Sequence, residues 1–288
     1  MQPGNWIPGD GGGEAAKARE VLSSTPVMRI TYIGHATLLI EIGGARILTD
    51  PNFETSLGVF LPRVTPPGMA LDELPALNAV LLTHAHADHL SFEALSQLPQ
   101  SVPVYAPPVI AKWLHERGYK HVLPFAPNDT VRIDSLHVHA AAARHKGNRY
   151  GYDRRRAATN MYLLENAEES CFFAGDTGLG DTTHLLVERA LWMRARELDV
   201  ALLPIGYAPW WKRGAFRQGH LTSEDALELF ARLRARHLIP YHWGTFRHVT
   251  ATAYDAINRF RTLVPEHPRG ADVRILEPGE ALEVAAAA

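Results

Sequence analysis

The segment "THAHADH" at residues 83–89 places His84, His86, Asp88 and His89 directly after the apolar run "AVLL". Imidazole nitrogens and carboxylate oxygens are ligands that a borderline divalent ion such as zinc accepts. A closed structural zinc site usually includes cysteines, whereas the chain's one cysteine, Cys171, is far away in the sequence. Four candidate ligands between residues 84 and 89 are hard to fit around one tetrahedron, so two ions sharing the cluster is the better reading. A lone histidine among the 15 present is more often hydrogen-bonded or at the surface than a ligand. A solvated polar loop, however, does not explain tight alternation straight after a buried strand.

The elements that must position this cluster follow from hydrophobic period and turn chemistry. Strands are predicted over "VMRITYIG" (27–34), "ATLLIEI" (36–42) and "ARILTD" (45–50), the last two joined at Gly43 and Gly44 as a hairpin. Residues 51–78, rich in Pro and polar turns, read as a long excursion rather than a packed element. From residue 79 the pattern becomes strand, loop, helix. Ser91 is an expected N-cap of "SFEALSQL", and "PPVIAKWLHERG" is bracketed by its prolines and Gly118. Strands follow within 130–143, 160–166, 170–176, 199–206 and 237–242, with helices over 183–197 and 223–236. This order predicts an α/β chain (α+β by some schemes) built as a four-layer αββα sandwich of two mixed sheets. Residues 1–26 are expected to be a flexible lead with a short helix, and 27–288 a single domain.

The chain of 288 residues has a net charge of −2, which gives no general pull toward nucleic acid. The run Arg154, Arg155 and Arg156 is a local exception that reads most simply as a solvated loop. A single cysteine excludes an intrachain disulfide. No apolar stretch approaches the roughly 18 residues of a spanning helix, and the first 25 residues lack the apolar core of a signal peptide. A cytoplasmic location is the expectation.

"THAHADH" after an apolar strand resembles the signature of the metallo-β-lactamase superfamily. "YIGHATLLIEIGGARILTDPNF" (32–53), "FAGDTG" (173–178), "PIGYAPWW" (204–211), "GHLTSEDAL" (219–227) and "HWGTF" (242–246) resemble one branch of it. That branch includes the N-acyl-phosphatidylethanolamine-hydrolysing phospholipase D and the ascorbate-6-phosphate lactonase. The resemblance implies the αββα fold and a dinuclear ligand set. His84, His86 and His145 would hold one ion; Asp88, His89 and His242 would hold the other, with Asp176 between them. His137 and His139 precede His145 on one strand, with a same-face spacing equally suited to an ordinary β surface. Thr83, Thr177 and Asp50 are candidates for orienting the ligands.

Two divalent ions, zinc first and manganese or iron(II) as alternatives, would generate a bridging hydroxide for hydrolysis. Asp88 and His220 are the candidate catalytic residues, with His220 as proton donor to the leaving group; a helix-flanking histidine beside a Thr222 or Ser223 cap is the plainer reading. His35, Tyr207, Trp210 and Trp211 are the candidate substrate-pocket residues, although His35 suits a buried structural role equally well. Arg144, Lys146 and Arg149 could meet an anionic group. The expected substrate is a small or lipid-like phosphodiester, or a lactone or other ester. Peripheral membrane contact is left open by the Trp pair and the N-terminal stretch, and no nucleic-acid partner is expected. A nuclease and a catalytically idle metal-binding sensor or scaffold are the competing readings. The near-neutral charge disfavours the first, and the complete ligand set disfavours the second.

Overall fold

The computed structural model describes residues 27–58, 61–149, 157–247 and 251–285. In chain order, β1 (Val27–Gly34), β2 (Thr37–Ile42) and β3 (Ala45–Thr49) form an antiparallel meander, and β4 (Ser56–Leu57) with β5 (Leu61–Pro62) forms a small hairpin. Then come β6 (Ala79–Leu81), α1 (Phe92–Gln97), β7 (Val104–Ala106), α2 (Pro108–Glu116) and β8 (Val122–Pro124). The second half holds β9 (Thr130–Ile133), β10 (Leu136–Ala142), β11 (Asn160–Glu165), β12 (Ser170–Phe173), α3 (Leu185–Ala190), β13 (Val200–Pro204), α4 (Arg213–Phe216), α5 (Ser223–Leu233) and β14 (His237–Tyr241). The chain closes with α6 (Asp255–Leu263) and β15 (Ala281–Ala285).

One sheet has the order β15-β1-β2-β3-β6-β7-β8 and the other β14-β13-β12-β11-β10-β9. Both are mixed: β3 to β8 pair in parallel through β6 and β7, as do β12, β13 and β14, while the remaining neighbours are antiparallel. The period of two sorts successive residues between layers. Leu38, Ile40, Ile47 and Leu81 enter the core shared with the second sheet. Leu39, Leu48 and Val80 point the other way, into a second core with Ile110 and Leu114 of α2 and Leu95 of α1. The first sheet is therefore apolar on both faces, as a sandwiched layer must be, and each fully buried Leu or Ile contributes roughly 1.5–3 kcal/mol. Leu229, Phe230 and Leu233 of α5 belong to the same connected core, with α5 packed on β13 of the second sheet, which completes the α-β-β-α order.

Helix starts follow their caps. Ser91 Oγ accepts from the Ala94 N–H at 3.0 Å, and Thr222 forms a capping box with Asp225 at the start of α5. Three expectations need correction. The helix expected over 183–197 is broken: α3 ends at Ala190, and a single 3-10 turn over Trp192–Arg194 follows, with Ala195 left-handed at φ 55°. This turn brings Arg194 and Arg196 to the buried Glu165 at 2.9 and 2.8 Å. The excursion at 51–78 is packed: Arg63 donates to the carbonyls of Glu54 and Asn52, and the Val64 N–H to Thr245. The strand expected at 130–143 is a hairpin, because Asp134 turns the chain at φ 52°. Residues 1–26 and Arg154–Arg156 lie outside the described residues.

Candidate metal centre

The sheet ends set the site. Beyond β6 the chain leaves the sheet, anchored by the wholly buried Ala85 and Leu90, and the His89 and Leu90 N–H groups both return to the His86 carbonyl. That turn sends His84 and His86 to one side and Asp88 and His89 to the other. Two glycines permit the close approach of neighbouring loops. A Cβ on Gly147 would stand 2.4 Å from the His84 Cβ, and one on Gly175, which sits at φ 55° just before Asp176, would meet Thr83 Cγ2 at 2.7 Å.

His84, His86, His145 and Asp176 form one group whose potential ligand atoms all lie within 4.8 Å of one another. The hydrogen bonds assign the tautomers. The Thr83 hydroxyl donates to Asp50 Oδ2 at 2.6 Å, so it accepts from His84 Nδ1 at 2.9 Å and leaves Nε2 bare. His145 Nδ1 donates to the Gly219 carbonyl at 2.8 Å, which leaves its Nε2 bare too. Both bare nitrogens face His86 Nδ1, at 3.0 and 3.1 Å. One proton on His86 could satisfy only one of them, whereas a cation satisfies all three. Nitrogens bound to zinc at about 2.0–2.1 Å stand about 3.3 Å apart in a tetrahedron, close to this spacing.

His35, Asp88, His89 and His242 form a second group on the same criterion. Asp50, fully buried, accepts from the Thr83 N–H at 2.7 Å and from His89 Nδ1 at 2.8 Å, so His89 Nε2 is bare as well. Among the described residues, His89 Nε2, His242 Nε2 and Asp176 Oδ1 are all buried without a hydrogen-bond partner. They face one another: His242 Nε2 lies 3.5 Å from Asp176 Oδ1, and His89 Nε2 lies 3.5 Å from Asp176 Oδ2. Asp176 Oδ2 is also 3.9 Å from His145 Nε2 and 4.0 Å from His84 Nε2, which places this carboxylate between the groups. Orphaned buried acceptors aimed at a common point are costly unless something positive sits among them. The residues present fit a pair of divalent ions.

Electrostatics agree with that fit. Burial, reinforced by neighbouring imidazoles, holds His84 well below the usual histidine range, and burial holds His145 at about 4, so both stay neutral as ligands must. Burial alone would raise Asp176 and Asp88, but the surrounding histidines overcome it and keep both carboxyls ionised. Burial would likewise keep His89 neutral, yet Asp176 and Asp88 push it far upward. His35, Asp50 and His242 all adopt positive φ, at 57°, 33° and 72°. Left-handed backbone at non-glycine residues costs about 1–3 kcal/mol each and clusters at functional sites.

A cleft of about 760 Å³ opens over the two groups, with His35, His86, Asp88, Asp176, His220 and His242 at its floor. Its walls are mostly apolar: Leu57, Leu61, Ile205, Phe216, Trp243 and Phe246, with the cations Lys212 and Arg247. His220 Nε2 lies 3.6 Å from Asp176 Oδ2, and its ring stacks on Phe216 at 4.7 Å. Tyr207 lines the cleft; Trp210 and Trp211 do not, and stand 87% and 58% exposed on the turn before α4. That corrects the expectation for the Trp pair, because the turn carries both rings outward. The sequence reading also missed Leu57, Leu61, Phe216 and Phe246. The excursion gave no periodic signal for the first two, while an aromatic four residues before His220 was a usable hint for Phe216. Thr177 accepts from the Arg144 N–H at 3.0 Å, and so braces the backbone beside His145 rather than a ligand ring. His137 and His139 lie on β10 outside both groups.

Comparison with known proteins gives a consistent picture. The model of the beta-lactamase superfamily domain matches residues 45–243. A UPF0173 metal-dependent hydrolase of Pyrococcus furiosus is 30% identical over 259 residues, covering 90% of this chain and all of that one. The N-acyl-phosphatidylethanolamine-hydrolyzing phospholipase D 1 of Caenorhabditis elegans is 27% identical over 246 residues, 78% of this chain and 66% of that protein's length. The chain thus spans just under two thirds of that relative. Among solved structures, an isothiocyanate hydrolase from Delia radicum gut bacteria superposes with a TM-score of 0.72 at 20% identity, covering 90% of this chain and all of that one. Igni18, a metallo hydrolase from Ignicoccus hospitalis, superposes with a TM-score of 0.66 at 22% identity, covering 90% of this chain and 98% of that one.

Proposed function

The chain belongs to the beta-lactamase superfamily of metal-dependent hydrolases, and on that premise we propose that it hydrolyses a phosphodiester carrying an apolar chain, using two divalent ions. The observation that carries this reading is the cleft itself, whose apolar walls descend to the two histidine-carboxylate groups and whose cations are Lys212 and Arg247. An apolar chain would lie against Leu57, Leu61, Phe216 and Phe246, while the phosphate faces the floor. The C. elegans relative, named for hydrolysis of a phospholipid, supports the same substrate class.

Divalent ions bound at this floor would supply an activated water and polarise the attacked oxygen. His84, His86 and His145 would hold one ion and Asp88, His89 and His242 the other, with Asp176 placed to serve both. Zinc suits these nitrogen and oxygen donors, as do manganese and iron(II). His220 is the proton donor to the leaving oxygen. Burial lowers its proton affinity while Asp176 opposes that change; what supports the role is its place in the cleft, with Nε2 3.6 Å from Asp176 Oδ2. Asp88 lines the cleft, so an ion it held would lie beside the substrate. The stack on Phe216 fixes the plane of the His220 ring.

A parallel screen of phosphodiesters, phospholipids, lactones and carboxylic esters with the metal-loaded chain tests this. Turnover of a long-chain phosphodiester, lost in His86→Ala and Asp176→Asn, is the expected result. Turnover confined to lactones or esters overturns the substrate class, and full activity in both variants overturns the metal-dependent mechanism.

A further inference from the structure

His35 belongs to the second group by position, yet the implied ligand set leaves its role unassigned. Its Nε2 lies 3.0 Å from Asp88 Oδ2. A carboxylate oxygen only accepts, so Nε2 is the donor, and a nitrogen that donates its proton to a carboxylate is not also a ligand. This is the one hydrogen bond Asp88 makes among the described residues. Three of the other candidate ligands have a comparable brace: Thr83 on His84, Gly219 on His145 and Asp50 on His89.

The backbone is built to hold this brace. His35 and His242 are both left-handed, at φ 57° and 72°, and the His242 N–H donates to the His35 carbonyl at 3.0 Å. Their rings lie 3.9 Å apart. The His35 N–H donates to the Tyr32 hydroxyl at 3.1 Å, which in turn donates to the Trp243 carbonyl at 2.9 Å. A closed circuit therefore ties the turn after β1 to the turn after β14, and its outcome is the position of one imidazole N–H.

Building on the dinuclear reading, we propose that His35 is a positioning residue that fixes Asp88 and so sets the affinity of the second metal position alone. The test uses the full chain and zinc or cobalt(II), with metal content after dialysis and the cobalt absorption spectrum as readouts. Glycine favours positive φ, so His35→Gly removes the ring without straining the backbone. It is expected to keep one ion per chain and to bind the second about 10–100-fold more weakly, the usual effect of losing an outer partner of a ligand. His35→Gln, whose amide N–H reaches toward Asp88, is expected to recover most of that loss. Two ions at undiminished affinity in His35→Gly, or no recovery in His35→Gln relative to His35→Gly, overturns the positioning role. A wild-type chain that takes up one ion only overturns the dinuclear reading and this proposal together, which separates the two failures.

Discussion

Asp50 and His89 meet at 2.8 Å with both side chains wholly buried, and the carboxylate that accepts the His89 proton also binds Thr83 through both of its oxygens. One residue at the end of β3 therefore fixes the tautomer of one candidate ligand and, through the Thr83 hydroxyl, that of His84 in the other group.

Asp50→Asn is nearly isosteric but replaces one oxygen by an N–H. With Oδ1 kept on the Thr83 N–H, the amide nitrogen faces His89 Nδ1, and His89 must move its proton to Nε2. The lone pair aimed at the metal is then lost. Metal affinity is expected to fall about 10–100-fold, measured by dialysis against graded chelator, and turnover is expected to fall with it.

Asp176 and His145 separate the two groups. Asp176 Oδ1 and Oδ2 face His242 and His89 as well as His84 and His145, whereas His145 belongs to the first group alone. Asp176→Asn is expected to lower the affinity of both ions, and His145→Ala of one only. Direct ligands should cost more than the about 10–100-fold typical of outer partners. Isothermal titration with zinc distinguishes one weakened step from two.

Much of this was legible in the sequence for a physical reason. Ligand chemistry uses few residue types, so alternation of His and Asp at a strand end stands out, and the apolar runs joined at Gly43 and Gly44 expose the strands of the meander. What stayed hidden depends on contacts between distant segments. The His35 brace rests on a hydrogen bond from His242 and on two left-handed turns, neither of which leaves a local pattern. β15, short and half-exposed, becomes a strand by pairing with the edge of β1, Val27 opposite Ala285. The Trp pair misled because an exposed aromatic and a pocket aromatic look alike until the turn's direction is known.

The cleft and the surface aromatics therefore make opposite predictions. Phe216 lines the cleft and supports the His220 ring, while Trp210 stands 87% exposed. Phe216→Ala is expected to lower kcat and raise KM together. Trp210→Ala is expected to change kcat/KM for a soluble, monomeric substrate less than about twofold, since surface substitutions usually lie within about 0.5 kcal/mol. Steady-state kinetics on both variants with one substrate checks this.

Away from the site, Glu165 supplies a pH dependence of stability. Burial would raise its carboxyl, but Arg194, His139 and Arg196 outweigh it and hold it below the usual carboxylate range. A folded-state value below the unfolded one means that the stabilisation is present above the unfolded range, about pH 4.3, and is lost as pH falls through the folded value. Glu165→Gln is expected to cost about 1–2 kcal/mol near neutrality, discounted because the Arg194 side chain is half-exposed. Urea unfolding at neutral and acidic pH should show the gap between wild type and variant closing on acidification.

Gly147 tests whether close packing of loops, as well as ligand chemistry, defines the first group. A methyl there would stand 2.4 Å from the His84 Cβ and 2.7 Å from Thr159 Oγ1. Neither neighbour can yield easily: His84 is wholly buried and held by Thr83, and Thr159 is buried with its hydroxyl donating to the His145 carbonyl at 3.3 Å. Overpacking of this kind costs about 1–3 kcal/mol. The strain falls first on His84, so Gly147→Ala is expected to lower both thermal stability and zinc affinity at the first position. Loss of thermal stability with zinc affinity unchanged would show that the contact serves the fold alone; metal titration of the variant below its unfolding temperature decides between the two.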